Sequence, residues 1–80
     1  MNREALLEKV IESVRDVNEE FDGEITEQTD LVGEEILDSL DSMNFLFEFE
    51  KRLGHKIEGI DEDYDDFRVS AIIDLVATES

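Results

Sequence analysis

The segment Asp38–Asp41 (DSLD) places a single hydroxyl group at the predicted start of a helix. The residues that follow, Met43–Leu53, contain no Gly or Pro and are rich in helix formers. Asp38 is then the natural N-cap, and Asp41 stands three residues later in a capping-box-like position. Ser39 becomes the first helical residue, where free backbone N–H groups and the positive end of the helix dipole favour a phosphate. The site suits a serine that carries a phosphodiester. It suits a catalytic serine poorly, because no base is evident beside it.

Three stretches have the apolar periodicity of helices, roughly Arg3 to Glu20, Ser39 to Leu53 and Val69 to Thr78. Asn2 is a plausible cap for the first helix, and Gly54 is a fitting stop for the second. We expect the stretch HKIEGI after Gly54 to be extended, with Ile57 and Ile60 anchored in the core. Residues Asp61 to Phe67 are expected to form one short helical turn. We therefore expect an all-α fold, a small bundle of three main helices plus this short fourth turn, formed by residues 1–80 as a single domain.

A long connection joins the first two predicted helices. Residues 22–37 begin with a helix-breaking Asp-Gly pair and are rich in Glu, Thr and Gly, with few hydrophobic side chains. A loop of this length in a small domain is often functional. We expect Leu31 and the Ile36-Leu37 pair to pin it to the core, with a short helical turn between them.

The composition narrows the class of protein. The chain has 80 residues, no Cys, and 24 acidic against 7 basic residues, a formal net charge of −17. Disulfides and thiolate sites are excluded, and nucleic acids and anionic membrane surfaces are disfavoured partners because binding to them depends on Lys and Arg. Basic protein surfaces would instead be attracted, although acidity also serves solubility alone. With no membrane-length apolar run and no signal-peptide pattern, we expect a cytoplasmic protein. We also expect it to be a monomer.

The second predicted helix is hydrophobic on two sides. Phe45, Leu46, Phe49 and Leu53 form the face that we expect to meet the other helices. On the opposite side lie Leu40, Met43 and Phe47. A helix in an 80-residue, three-helix domain is rarely buried all round, so we expect part of this second face to be exposed as a protein-docking surface, with Met43 the residue most inclined to turn inward. In the alternative arrangement, the long loop covers this face and makes it part of the core.

These features together resemble an acyl carrier protein, or a freestanding carrier domain of the phosphopantetheine-binding type. The resemblance is carried by ILDSLDS at residues 36–42 and the helix MNFLFEFEKRLG after it, supported by Asp30-Leu31, by Ile57 and by the closing tail YDDFRVSAIIDLV. It extends over nearly the whole chain. The DSL tripeptide alone would be a weak signal, but in this frame and at this length it is specific.

The resemblance implies a function. Ser39 would bear 4′-phosphopantetheine, transferred from coenzyme A by a separate phosphopantetheinyl transferase (holo-carrier synthase). The thiol of this arm would carry acyl groups as thioesters to the enzymes that load and transfer them in fatty-acid, lipid or related metabolism, and the chain would not itself be an enzyme. The positions matching the family's recognition helix are Asp38, Leu40, Asp41, Phe47 and Glu50, with Met43 in the same patch; partners would meet them with basic surfaces.

Several positions depart from the fatty-acid carriers that the chain resembles. Asn44 and Lys51 stand where acidic residues are common, and residues 31–38 are longer than usual. The Ile36-Leu37 pair is more typical of D-alanyl or aminoacyl carriers, so an aminoacyl, polyketide or nonribosomal-type carrier is an alternative. Phe45, Phe47 and Phe49 are bulky for a helix that elsewhere lines an acyl cavity. If they fill that space, the cargo must stay outside, and it will not raise the melting temperature by being buried.

Other readings follow from isolated residues. A Ser39–His55 hydrolase would need the two side chains to meet across a helix about 22 Å long, and no G-x-S-x-G elbow is present. Asp61, Asp63 and Asp65 alternate as in a calcium loop, but Asp66 and Ile72 stand where an EF-hand needs Gly and Glu, so no metal site is predicted. An unmodified acidic adaptor, binding a basic partner through Leu40, Met43 and Phe47, remains open.

Overall fold

The computed structural model describes residues 2–57 and 64–79, with side chains as far as residue 77. It contains three helices in chain order: α1 (Arg3–Val17), α2 (Ser39–Leu53) and α3 (Val69–Glu79). The predicted all-α bundle is confirmed. Of the stretch expected to form a short fourth turn, residues 64–67 are not helical, while 61–63 and the expected anchor Ile60 lie outside the described residues.

The first helix is shorter than predicted. Asn2 caps it as expected, because its side-chain oxygen accepts a 2.8 Å hydrogen bond from the backbone N–H of Ala5. The helix ends at Val17 and not near Glu20, because Asn18 leaves the helical conformation and donates from its side-chain amide to the carbonyl of Ile36 at 3.0 Å. This long-range bond ties the end of α1 to the loop that precedes α2, which periodicity alone does not reveal.

The connection between α1 and α2 is held along its length. Ile25, Leu31, Ile36 and Leu37 are buried, so the predicted pins at Leu31 and at the Ile36-Leu37 pair are confirmed. Residues 27–31 also run beside the start of α3, where Leu31 N–H donates to the Phe67 carbonyl at 3.0 Å and an isolated antiparallel bridge joins Asp30 and Arg68. The loop is therefore a packed part of the domain.

One hydrophobic core unites the three helices. α1 packs against both α2 and α3. Phe45 and Phe49 of α2 have no exposed surface, and their rings stack with centroids 5.8 Å apart. Ile72 and Ile73 of α3 are equally buried in the same cluster. Ile57, just after α2, is also buried, as predicted. The core face of α2 is therefore the one expected from the sequence, with Leu53 half-buried at its end.

A charged cluster ties α1 to α2 at the edge of this core. The Arg52 guanidinium pairs with the carboxylates of Asp16 and Glu12 on α1 and lies 3.6 Å from the Glu48 carboxylate on its own helix. The hydrogen bond that Arg52 donates to the Asp16 carboxylate is the main reason that the pKa of Arg52 is raised above its ordinary value. Arg52 thus bridges two helices, while its neighbour Lys51 pairs only within α2, with Glu48 at 3.2 Å.

Within the described part of the chain, no helix is long and apolar enough to cross a lipid bilayer.

Candidate functional site

Ser39 is the first residue of α2, as predicted. The Asp38 carboxylate accepts a 2.7 Å hydrogen bond from the backbone N–H of Asp41 and so caps the helix. The return bond of a full capping box, from the Asp38 N–H to the Asp41 carboxylate, does not form, so only half of that motif is present. Gly54 closes the other end of α2 with φ 84°, a conformation that glycine adopts without strain.

The turn before α2 decides which way Ser39 faces. The backbone N–H of Leu37 donates to the Leu31 carbonyl at 2.9 Å, which closes residues 31–37 into a compact turn. Ile36 and Leu37 point into the core. The next two residues, Asp38 and Ser39, are both exposed. The buried pair thus anchors the turn and presents the serine to solvent.

Gly33 and Glu35 shape this turn, the first by a close contact and the second by a positive φ. The Asp30 carboxylate accepts from the backbone N–H of Gly33 at 2.8 Å, and a Cβ at position 33 would lie 2.6 Å from the other carboxylate oxygen, so a larger residue there would displace the carboxylate. Glu35 has φ 61°, in the left-handed region that side chains other than glycine rarely adopt. The strained residue therefore lies four positions before the candidate attachment site.

The immediate surroundings of Ser39 favour an attached phosphate. The Ser39 hydroxyl forms no hydrogen bond with any described residue, and the backbone N–H groups of Ser39 and Leu40 have no acceptor among those residues. By contrast, the Ser42 hydroxyl is buried and donates to the Ser39 carbonyl at 2.8 Å. Free N–H donors at a helix start attract a phosphate, while the adjacent carboxylates of Asp38 and Asp41 repel it, so the phosphate itself would lie on the solvent side of these two side chains.

The face of α2 opposite the core is exposed. Leu40 is 70% exposed and Phe47 is 59% exposed. With helical spacing of four, three and four residues, Leu40, Asn44, Phe47 and Lys51 fall on one stripe, which we call the outer stripe. The loop of residues 22–37 does not cover it, and this settles the alternative in which the second apolar face belongs to the core.

Two predicted recognition residues have additional structural contacts. Met43 is half-buried and packs against the core, as its tendency to turn inward predicted. Glu50 is also half-buried, and its carboxylate accepts from the backbone N–H of Ile57 at 2.7 Å. Glu50 therefore fixes the segment after α2, and charge reversal there would disturb the fold as well as any docking surface.

A shallow groove of about 850 Å³ runs beside the outer stripe. It begins at Asp41, two residues from Ser39, and reaches the segment Gly54–Lys56 at the far end of α2. Asn44, Phe47 and Lys51 line its length on α2, and Asp16 and Val17 of α1 contribute to it as well. The sequence indicated that Asn44 and Lys51 were unusual, but nothing in it indicated that they share a groove with residues of α1.

The alternative sites are not assembled in the described residues. Ser39 and His55 lie at opposite ends of a continuous 15-residue helix, about 22 Å apart along its axis. His55 is an exposed turn residue whose ring nitrogen Nδ1 lies 2.9 Å from the Lys56 carbonyl. Residues 2–57 and 64–79 contain no group of three or more His, Cys, Asp or Glu placed to hold a metal ion. Asp61 and Asp63, which alternate with Asp65 as in a calcium loop, lie outside those ranges.

Comparison with protein-family models, with curated proteins and with solved structures finds no match for this chain. Its function must therefore be argued from the residues and from their geometry.

Proposed function

We propose that this chain is a carrier protein of the acyl-carrier type, with 4′-phosphopantetheine attached to Ser39. One observation supports this most directly: Ser39 is an exposed hydroxyl without a hydrogen-bond partner among the described residues, on the first residue of a capped helix. The neighbouring N–H groups suit a phosphate. An exposed apolar surface, formed by Leu40 and Phe47, continues from it along the same helix.

The attachment is a phosphoryl-group transfer. The Ser39 Oγ forms a bond to the phosphorus that carries the pantetheine arm of coenzyme A, and the pyrophosphate P–O bond breaks. Adenosine 3′,5′-bisphosphate leaves with the bonding electrons, and the serine proton passes to a base on the transferase. The carrier supplies the exposed hydroxyl and the local donors, and the transferase supplies the catalytic machinery. Acyl groups then bind as thioesters to the terminal thiol, for delivery to loading and transfer enzymes.

The first test is the intact mass of the protein after incubation with coenzyme A and a broad-specificity phosphopantetheinyl transferase. We expect the wild-type chain to gain one phosphopantetheinyl group and Ser39→Ala to gain none. Ser70→Ala is the matched control, because Ser70 is also in the first turn of a helix but is half-buried; it should be modified like wild type. An unmodified wild-type chain with normal helical circular dichroism would contradict the proposal and favour the acidic adaptor, which uses the same Leu40–Phe47 surface.

The second test concerns recognition by the transferase. Asp41→Lys should lower kcat/KM for loading, because it replaces an acidic group beside Ser39 where a basic partner surface is expected. Asp41 is a better probe than Glu50, whose carboxylate also holds the Ile57 N–H. Glu8→Lys is the control with the same charge change, at an exposed position on α1. Equal kcat/KM values for the two variants would place the docking surface elsewhere.

A further inference from the structure

The closed core and the groove beside α2 together indicate where a cargo would rest. The rings of Phe45 and Phe49 are fully buried and stacked on each other, and Leu6, Val10, Ile72 and Ile73 belong to the same core cluster and have no exposed surface. An acyl chain could enter this region only by displacing well-packed side chains, which is costly in a core packed at crystal-like density. The groove, in contrast, is open and starts two residues from Ser39, at Asp41.

The length of the arm matches the length of the groove. Fully extended, the bonds from the Ser39 oxygen to the terminal sulfur of phosphopantetheine span about 18 Å, from standard bond lengths and angles. Twelve helical rises separate Ser39 from Lys51, which is also about 18 Å. A four-carbon acyl group adds about 5 Å. Its far end would therefore reach the segment Gly54–Lys56, beyond the exposed ring of Phe47.

The end of the groove near Lys56 carries an exposed positive charge, whereas the molecule as a whole is strongly acidic. Among the described residues at that end, the carboxylates already have partners: Glu48 pairs with Lys51 and Arg52, and Glu50 accepts from the Ile57 N–H. Lys56 is exposed, and its side chain forms no ion pair with any residue of 2–57 or 64–77. An exposed cation near the end of a tether of about 18 Å, in a chain of net charge −17, offers a local partner for a negative group.

We infer that the arm and its cargo lie in this surface groove, and that the cargo favoured there is a short acyl group ending in a carboxylate, which pairs with Lys56. The inference depends on the proposed attachment at Ser39. It goes further by assigning the cargo to the groove instead of the core, and by naming its chemical class.

The test compares two cargoes that differ chiefly in the terminal carboxylate. The transferase would load succinyl-phosphopantetheine or butyryl-phosphopantetheine onto ¹⁵N-labelled protein from the corresponding acyl-coenzyme A, with intact mass confirming each product. Backbone amide shifts would then be compared with those of the protein carrying the free thiol. We expect succinyl to move the amides of Lys51, His55 and Lys56 severalfold more than butyryl does, and added salt to reduce the difference because the pair is exposed.

Charge reversal provides the matched variants. In Lys56→Glu the succinyl-specific shifts should largely disappear. They should persist in Arg15→Glu, which has the same net charge but changes an exposed residue on α1. Equal shifts for the two cargoes, or large shifts at the amides of Phe45, Phe49 and Ile72, would overturn the inference. A chain that gains no mass in the loading step would instead refute the attachment at Ser39, so the two failures are distinguishable.

Discussion

The candidate site is built from a few residues with unlike tasks. Asp38 caps α2, and beside it Ser39 presents a hydroxyl with no hydrogen-bond partner among residues 2–57 and 64–77. The buried Ile36-Leu37 pair fixes the direction of the backbone before Ser39, and Glu35 adopts a positive φ within the same turn. The chemistry needs only the serine. The orientation of that serine depends on neighbours that have no chemical part in it.

We predict that Glu35→Gly raises the free energy of unfolding by about 0.5–1 kcal/mol. Glycine relieves the left-handed strain of about 1–2 kcal/mol but loses more backbone entropy on folding, so the net gain is smaller. Urea denaturation would measure it. Glu35→Gln is the control, because it removes the same negative charge and keeps the strain. If the Gln variant gains as much as the Gly variant, the gain comes from charge and the strain argument is wrong.

The helix α2 separates two functions on opposite faces. Phe45 and Phe49 hold the core, while Leu40 and Phe47 remain exposed on the outer stripe. The same side-chain type therefore stabilises the fold at one position and offers a contact surface two residues later. Such a division is expected for a helix that packs on one side only. It also makes the two roles separable by substitution.

We predict that Phe47→Ala changes the free energy of unfolding by less than about 1 kcal/mol, because most of that ring is already in water, whereas Phe45→Ala costs about 3–5 kcal/mol. Urea denaturation of both variants measures the contrast. Phe47→Ala should also lower kcat/KM for transferase loading, since it removes an exposed apolar contact on the helix that begins with Ser39. A folded Phe47→Ala variant that loads at the wild-type rate would remove this ring from the docking surface.

The molecule as a whole is small and strongly charged. A net charge of −17 is carried by a chain with a radius of gyration of 11.3 Å. At low salt the screening length, about 30 Å at 0.01 M, is as long as the molecule, so nearly all its carboxylates repel one another. Arg52 counters this locally by joining the acidic residues of α1 to α2. Most of the acidic surface has no such compensation in the chain's seven basic residues.

We predict that the melting temperature rises when NaCl increases from about 0.01 M to about 0.15 M, where the screening length falls to about 8 Å and self-repulsion weakens. Thermal unfolding followed by circular dichroism would show this. Mg²⁺ at matched ionic strength should give at least the same increase. A constant melting temperature over this range would mean that repulsion within the folded state contributes little to stability.

Much of the fold was predictable from local signals. Asn2, Asp38 and Gly54 define helix ends through hydrogen bonds and a backbone conformation within a few residues, so their types and positions are sufficient. The buried face of α2 follows from the 3.6-residue period. The end of α1 was not predictable in this way, because Asn18 is held by the Ile36 carbonyl, 18 residues away. The strain at Glu35 gives no compositional signal, since glutamate is an unusual choice for a positive φ.

For this protein, the linear chain was enough to determine the three helices, the cap beside Ser39 and the acidic surface, because each depends on residue type, spacing or net charge. Its folded form was needed to show that the 22–37 loop leaves Leu40 and Phe47 uncovered, that Glu50 is tied to Ile57, and that a groove leads from Asp41 to Lys56. Those features arise where segments distant in sequence meet. Which of several apolar faces is buried depends on competition among all the packed segments, and no local pattern contains that result.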